Sequence, residues 1–191
     1  MREIETLVKI LSTLAEVQKA VEQCATFRET VRIQDVYWEH PHRQQLQTGG
    51  RGMVNALRLR NRGDLWFLTL KHDNMNEDGV WLYSDEYETE VGDLTQLKKI
   101  LEALNFRSLV MVDKTRQTWF YKDFEIALDS VKNLGEFVEI EYKGEAQADP
   151  KETTDQMVKL LKDIGCGEIK INYMGYPYLL LFPKEAKYET L

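Results

Sequence analysis

Pairs of like charges spaced two residues apart recur along this chain. Glu3/Glu5, Arg58/Arg60, Glu88/Glu90, Lys114/Arg116 and Glu139/Glu141 sit in strand-like runs, several of them otherwise apolar, as in Leu57-Arg58-Leu59-Arg60 and Val138-Glu139-Ile140-Glu141. In a β-strand, residues i and i+2 point to the same face. Each pair therefore sets two like charges side by side, which costs free energy unless an opposite charge lies between them. Carboxylate pairs suit divalent cations, and arginine or lysine pairs suit a polyanion. Amphipathic strands with a solvated face also alternate charged and apolar residues. A solvated sheet, however, mixes signs, because unlike charges across strands stabilise and like charges destabilise. Here whole runs are acidic or basic. The chemistry this pattern fits is the holding of a metal-bound phosphate chain.

The elements that must position these groups are mostly strands. Residues 2–10 read as a strand. A helix follows from Thr13 to Cys24, with Thr13 and Glu16 as a capping box and Leu14, Val17 and Val21 on one face. Further strands are expected at 31–39, 56–61, 65–71 and 80–91, with a Gly- and Pro-containing loop at 40–52 and a polar turn at 73–79. Asp93 and Gln96 open a second helix, whose apolar stripe is Leu94, Leu97, Ile100, Leu101 and Leu104. Strands recur at 108–113, 114–121, 124–131 and 136–142. Asp149 and Pro150 begin a third helix that stops at Gly165. The tail from Ile169 reads as one more strand or extended segment. So many strands with one charged face require a closed or strongly curved sheet. If the charged face lines the inside, the helices cover an apolar outer face. This inverts the usual small barrel, whose interior is filled with packed side chains.

Composition sets bounds. A length of 191 residues, 43% hydrophobic and 30% charged, suits a soluble globular chain, read as a single domain over 1–191. The net charge of −7 argues against general nucleic-acid binding but leaves room for a local anion site. No apolar run approaches the length needed to span a bilayer, so no membrane partner is expected, and the N-terminus lacks the apolar core of a signal peptide. A cytoplasmic protein is the expectation. Cys24 and Cys166 are read as two reduced thiols, with one disulfide as the alternative. Their spacing supports no thiolate metal site.

The ordered set Glu3-Ile4-Glu5, Leu57-Arg58-Leu59-Arg60, Leu68-Thr69-Leu70-Lys71, Lys114-Thr115-Arg116, Asp129 and Gly135-Glu136-Phe137-Val138-Glu139-Ile140-Glu141 resembles the CYTH superfamily, also called triphosphate tunnel metalloenzymes. The likeness covers nearly the whole chain. Asp35-Val36-Tyr37 and His40-Pro41-His42-Arg43 resemble the class IV adenylyl cyclase-like branch. The resemblance implies an α+β fold: an antiparallel eight-stranded β-barrel forming a tunnel, with helices packed outside. It implies Mg²⁺ or Mn²⁺ and a linear triphosphate substrate, and a homodimer by likeness to the cyclase branch.

Carried over by position, Glu3, Glu5, Asp129, Glu139 and Glu141 are the implied metal ligands. Arg58, Arg60, Lys71, Lys114 and Arg116 are the implied triphosphate-binding set, with Glu88 and Glu90 positioning these cations or assisting the metal. The family signature Glu-x-Glu-x-Lys would place a lysine at position 7. This chain has Leu7, and the nearest lysine on that face is Lys9, about 6–7 Å further along a regular strand. Glu3, Glu5, Lys9 and Asp129 are thus the expected catalytic group. The reading placed first is an adenylyl cyclase acting on ATP. The second is a tripolyphosphatase or thiamine-triphosphatase, and the third a non-catalytic polyphosphate- or nucleotide-binding module. Trp81 and three other tryptophans, and Tyr173, Tyr176 and Tyr178, are read as packing residues first, the tyrosines alternatively closing a tunnel end.

Overall fold

The computed structural model describes residues 2–42, 55–77, 81–145, 147–167, 169–186 and 188–190. Most of the expected loop at 40–52 lies outside them, as do Arg43 and Val80. The strands are β1 (Arg2–Glu3), β2 (Glu5–Ile10), β3 (Thr26–Glu39), β4 (Asn55–Arg62), β5 (Leu65–Met75), β6 (Trp81–Glu90), β7 (Arg107–Tyr121), β8 (Phe124–Val131), β9 (Gly135–Tyr142), β10 (Ile169–Asn172) and β11 (Glu189–Thr190). The helices are α1 (Leu14–Val21), α2 (Leu94–Ala103), α3 (Pro150–Ile164) and α4 (Gly175–Leu181).

All pairings are antiparallel, and the order is β1-β6-β5-β4-β3-β7-β8-β9-β2-β10-β11. The two ends of this order meet through the chain itself. β1 pairs with β6, β2 pairs with β9, and only Ile4 separates β1 from β2. Residues 2–10 thus act as one stave that closes the sheet. With β3 to β9 they make the eight staves of a barrel, and β10 and β11 extend the sheet from β2.

Alternation along each stave puts charge inside and apolar side chains outside. Val8, Ile10, Ile126, Leu128, Val138 and Ile140 face outward and are covered by Val17 and Val21 of α1 and by Met157 and Leu161 of α3. Leu101 of α2 covers Trp38 and Leu59 on the other side. The helices begin where their caps stand. Thr13 and Glu16 form the expected capping box, and Asp93 and Asp149 accept from the backbone of Gln96 and Glu152. α3 ends on Gly165, at φ +82, the left-handed conformation that glycine adopts without strain.

Several elements differ from the sequence reading: β5 runs on to Met75, pairing with β6 through the start of the expected polar turn, and α1 ends at Val21, short of Cys24. β3 starts at Thr26, ahead of the expected 31. β7 is one continuous strand where two were expected. Asp113, the last residue of the first expected strand, is in register with Gln34 in mid-strand and faces outward, where Arg32 binds it at 2.9 and 2.7 Å. The tail contains α4, read from sequence as extended. Its N-terminus is held by Asn172, whose Oδ1 accepts from the backbone N–H of Met174 and Gly175 at 2.9 and 3.1 Å. Pro177 falls in the first turn, where a missing N–H is tolerated. Among the described residues, no helix is long and apolar enough to cross a membrane.

Candidate active site

The barrel lumen is a cavity of about 590 Å³, within the range of small-molecule sites. Its two walls carry opposite charge. On one, the adjacent staves β9, β1/β2 and β6 present Glu139, Glu141, Glu3, Glu5, Glu86 and Glu88. On the other, β4 and β7, joined through β3, present Arg58, Arg60, Lys114 and Arg116. Lys71 reaches in from β5, between the walls.

The basic wall is braced from behind and beside. Arg60 makes a two-pronged ion pair with Asp35, Nε to Oδ1 at 2.7 Å and Nη2 to Oδ2 at 2.8 Å. Arg116 grips Asp129 in the same way at 2.7 and 2.6 Å and also reaches Glu139 at 2.8 Å. Lys114 Nζ donates to Asp129 at 2.8 Å, and the Tyr176 hydroxyl donates to the same carboxylate at 2.8 Å. Burial would raise the pKa of Asp35, Asp129 and Glu139, but the adjoining cations override it and hold all three well below the usual carboxylate range. Burial, together with Arg116, pushes Lys114 down. Arg58 is buried, with Nη2 3.5 Å from Glu86, and its Nε has no hydrogen-bond partner among the described residues.

The acidic wall is differently placed. Lys71 Nζ lies 2.7 Å from Glu3 and 3.1 Å from Glu5. Lys143 pairs with Glu141. Desolvation, and crowding by neighbouring carboxylates, push Glu5 up to about 8 and Glu141 up to about 7. Burial would raise Glu3 too, but Lys71 pulls it below its ordinary value.

One end of the lumen is closed by apolar packing. Tyr37, Val112, Val131 and Phe137 continue the inward faces of β3, β7, β8 and β9. Tyr176 and Leu179 of α4 pack onto them, with the Phe137 and Tyr176 rings edge to face at 5.1 Å. Tyr176 thus closes the tunnel end, the alternative role considered for it. Trp38 and Trp119 are buried as packing residues, whereas Trp81 lines the cavity. His40 sits against Phe106, away from the lumen, its ring centroid 5.1 Å from the phenyl. Cys24 is exposed and Cys166 buried, both free.

Most expected site residues meet here, and three do not. Asp129, expected as a metal ligand and catalytic group, has no exposed surface and lies behind Lys114 and Arg116, which consume its oxygens. Lys9 keeps the face of Glu5 and Leu7 but lies beyond the plug, its Nζ 5.8 Å from the ring centroids of Phe137 and of Tyr188. Leu7 itself lines the cavity. Glu90 pairs with Phe67 and does not line the lumen, while Glu88 does and accepts from Thr69 at 2.8 Å. Sequence reasoning missed Asp35 and Glu86 as site residues. Glu86 is one step earlier in the alternation that picked out Glu88 and Glu90, and Asp35 entered the sequence reading only within the Asp35-Val36-Tyr37 segment, without a site role.

The acidic wall fits a divalent ion in its chemistry. Its donors are hard carboxylate oxygens, and two of its carboxyls are pushed toward the neutral form by burial and by the carboxylates beside them. As they stand, no three carboxylate, imidazole or thiol groups among the described residues are gathered closely enough to hold an ion. Resident lysines and arginines hold them instead.

Residues 1–171 match the family model of the CYTH domain. The chain is 24% identical, over 92% of its length and 97% of the relative's, to a Methanocaldococcus jannaschii protein named "Putative adenylate cyclase". Among solved structures it is similar to the PH1819 protein of Pyrococcus horikoshii, with TM-score 0.77 and 27% identity over 95% of this chain and 99% of that one. It also shares its fold with a Hippeastrum adenylyl cyclase-like protein described as having a dominant triphosphatase activity, with TM-score 0.63 and 16% identity over 96% of each chain.

Proposed function

The chain belongs to the CYTH domain family, and from that premise we propose that it is a metal-dependent enzyme acting on a linear triphosphate, in the first place an adenylyl cyclase converting ATP to cyclic AMP and pyrophosphate. The observation that carries the reading is the two-walled lumen, a braced row of arginines and lysines facing a row of carboxylates across about 590 Å³.

Arg58, Arg60, Lys114 and Arg116 would bind the phosphate oxygens, the arginines through paired N–H groups and Lys114 as a point charge. Asp35 and Asp129 fix the directions of three of these cations, so that little reorganisation is needed when charge develops on the departing pyrophosphate. The Arg58 Nε, buried and unpaired among the described residues, gains an acceptor when a phosphate oxygen arrives. Glu3, Glu5, Glu139 and Glu141, with Glu86 beside them, would hold Mg²⁺ or Mn²⁺. When bound, such an ion neutralises phosphate charge and raises the nucleophilicity of the attacking oxygen. In the cyclase reaction the ribose 3′-hydroxyl would give up its proton to water and attack the α-phosphorus, the bond to the bridging oxygen breaking so that pyrophosphate leaves along the basic wall.

Triphosphate hydrolysis is the second reading, with water as nucleophile and tripolyphosphate or thiamine triphosphate as substrate. The activity described for the Hippeastrum protein, which has the same fold, favours it. Leu7, which leaves no first-stave lysine lining the lumen among the described residues, instead keeps the third reading, a non-catalytic binding module, in view.

Phosphorus NMR on the purified protein with ATP and with tripolyphosphate, each with Mg²⁺, separates the readings. Cyclic AMP with pyrophosphate is the expected outcome. Orthophosphate from tripolyphosphate without cyclic AMP would select the hydrolase. Binding without turnover would select a non-catalytic module, and no binding of either compound would overturn all three.

A further inference from the structure

The ammonium of Lys71 sits among three carboxylates of the acidic wall. Its Nζ is 2.7 Å from Glu3, 3.1 Å from Glu5 and 3.6 Å from Glu86. It comes from β5, a stave outside that wall, and its side chain is only 14% exposed. We propose that Lys71 is an exchangeable counter-ion: it holds the metal-binding carboxylates until a triphosphate draws it away, so that metal and triphosphate enter the tunnel as one unit.

The argument is one of charge balance. Three carboxylates so close together cannot lose the ammonium that touches all three without a large electrostatic cost. A divalent ion arriving alone must therefore evict Lys71, and a buried ammonium without acceptors is equally costly. The flexible four-carbon stem of Lys71 lets its ammonium turn toward other acceptors, and triphosphate oxygens bound along the arginines would supply them. Each ligand thus removes the penalty that the other would meet, which is positive coupling between two sites. The inference rests on the metal-and-triphosphate reading of this tunnel. It goes beyond that reading in assigning Lys71 to both ligands and in predicting the coupling.

Calorimetric titration tests it. Mn²⁺ alone is titrated into the wild type, K71M and K114M, with folding checked by circular dichroism. K114M removes the same charge from the opposite wall. K71M is expected to bind Mn²⁺ about tenfold more tightly than the wild type, the lower end of coupling for close charge pairs, and K114M to gain much less. In the wild type, Mn²⁺ with tripolyphosphate should bind more tightly than either component alone, and K71M should lose most of that advantage. Equal Mn²⁺ affinity in the wild type and K71M would overturn the proposal and leave the functional reading standing. So would a wild type that binds the components independently, an arm that needs no variant to fold. Failure of Mn²⁺ with tripolyphosphate to bind the wild type at all would overturn both.

Discussion

Asp129 accepts four hydrogen bonds and contributes nothing to the surface. Its role is to hold two cations in place. Removing it would leave Lys114 and Arg116 buried without their shared counter-charge. Asp129→Ala is therefore expected to destabilise the protein by about 3–5 kcal/mol, the usual cost of breaking a buried ion pair, measured by urea unfolding. A merely exposed metal ligand would cost far less stability. The charged pairs themselves were legible in the sequence because strand alternation is a local rule. The depth of Asp129 was not. It depends on a hydroxyl donated by Tyr176, 47 residues away, from a helix the local pattern did not announce. Asp35 was missed as a site residue for the same reason: its partner Arg60 lies across the β3–β4 pairing.

Among the elements, α4 shows where local reading fails. Gly175-Tyr176-Pro177-Tyr178-Leu179-Leu180-Leu181 is an apolar run without helical periodicity, because the segment is surrounded on most sides: Tyr176, Pro177, Tyr178 and Leu179 are all buried. A continuous apolar run with aromatic residues reads equally as a buried strand. The long strands, in contrast, followed from period-two alternation, although β7 was read as two strands and β3 as starting at 31. Leu179 packs into the lumen end against Val112 and Phe137, so Leu179→Ala should cost about 2–5 kcal/mol. Tyr176→Phe keeps the packing and removes one hydrogen bond to a charged group, about 1.5–3 kcal/mol. Chemical denaturation of both variants checks the order of these two losses.

For the whole molecule, the crowding of acids on one wall makes stability depend on pH. Glu5, raised from 4.5 to about 8, and Glu141, raised to about 7, take up protons on folding between pH 4.5 and those values. The folded state then binds more protons than the unfolded one, so stability falls as pH rises through this window. The depressed carboxyls Asp35, Glu139 and Glu3 are charged in both states there and contribute no slope. Without metal, the melting temperature should be lower at pH 8.5 than at pH 5.5, and Glu5→Gln combined with Glu141→Gln should flatten the difference. The barrel that imposes this crowding is closed by its own first stave. Residues 2–10 need β6 and β9, which end at Glu90 and Tyr142. On a ribosome, residues 2–10 must wait for about 130 further residues of chain before they have both neighbours. Until then two sheet edges lie open and Glu3 and Glu5 have no tunnel to face. Such long-range closure is slow, so the step that seals the barrel during synthesis is also the one that assembles the acidic wall.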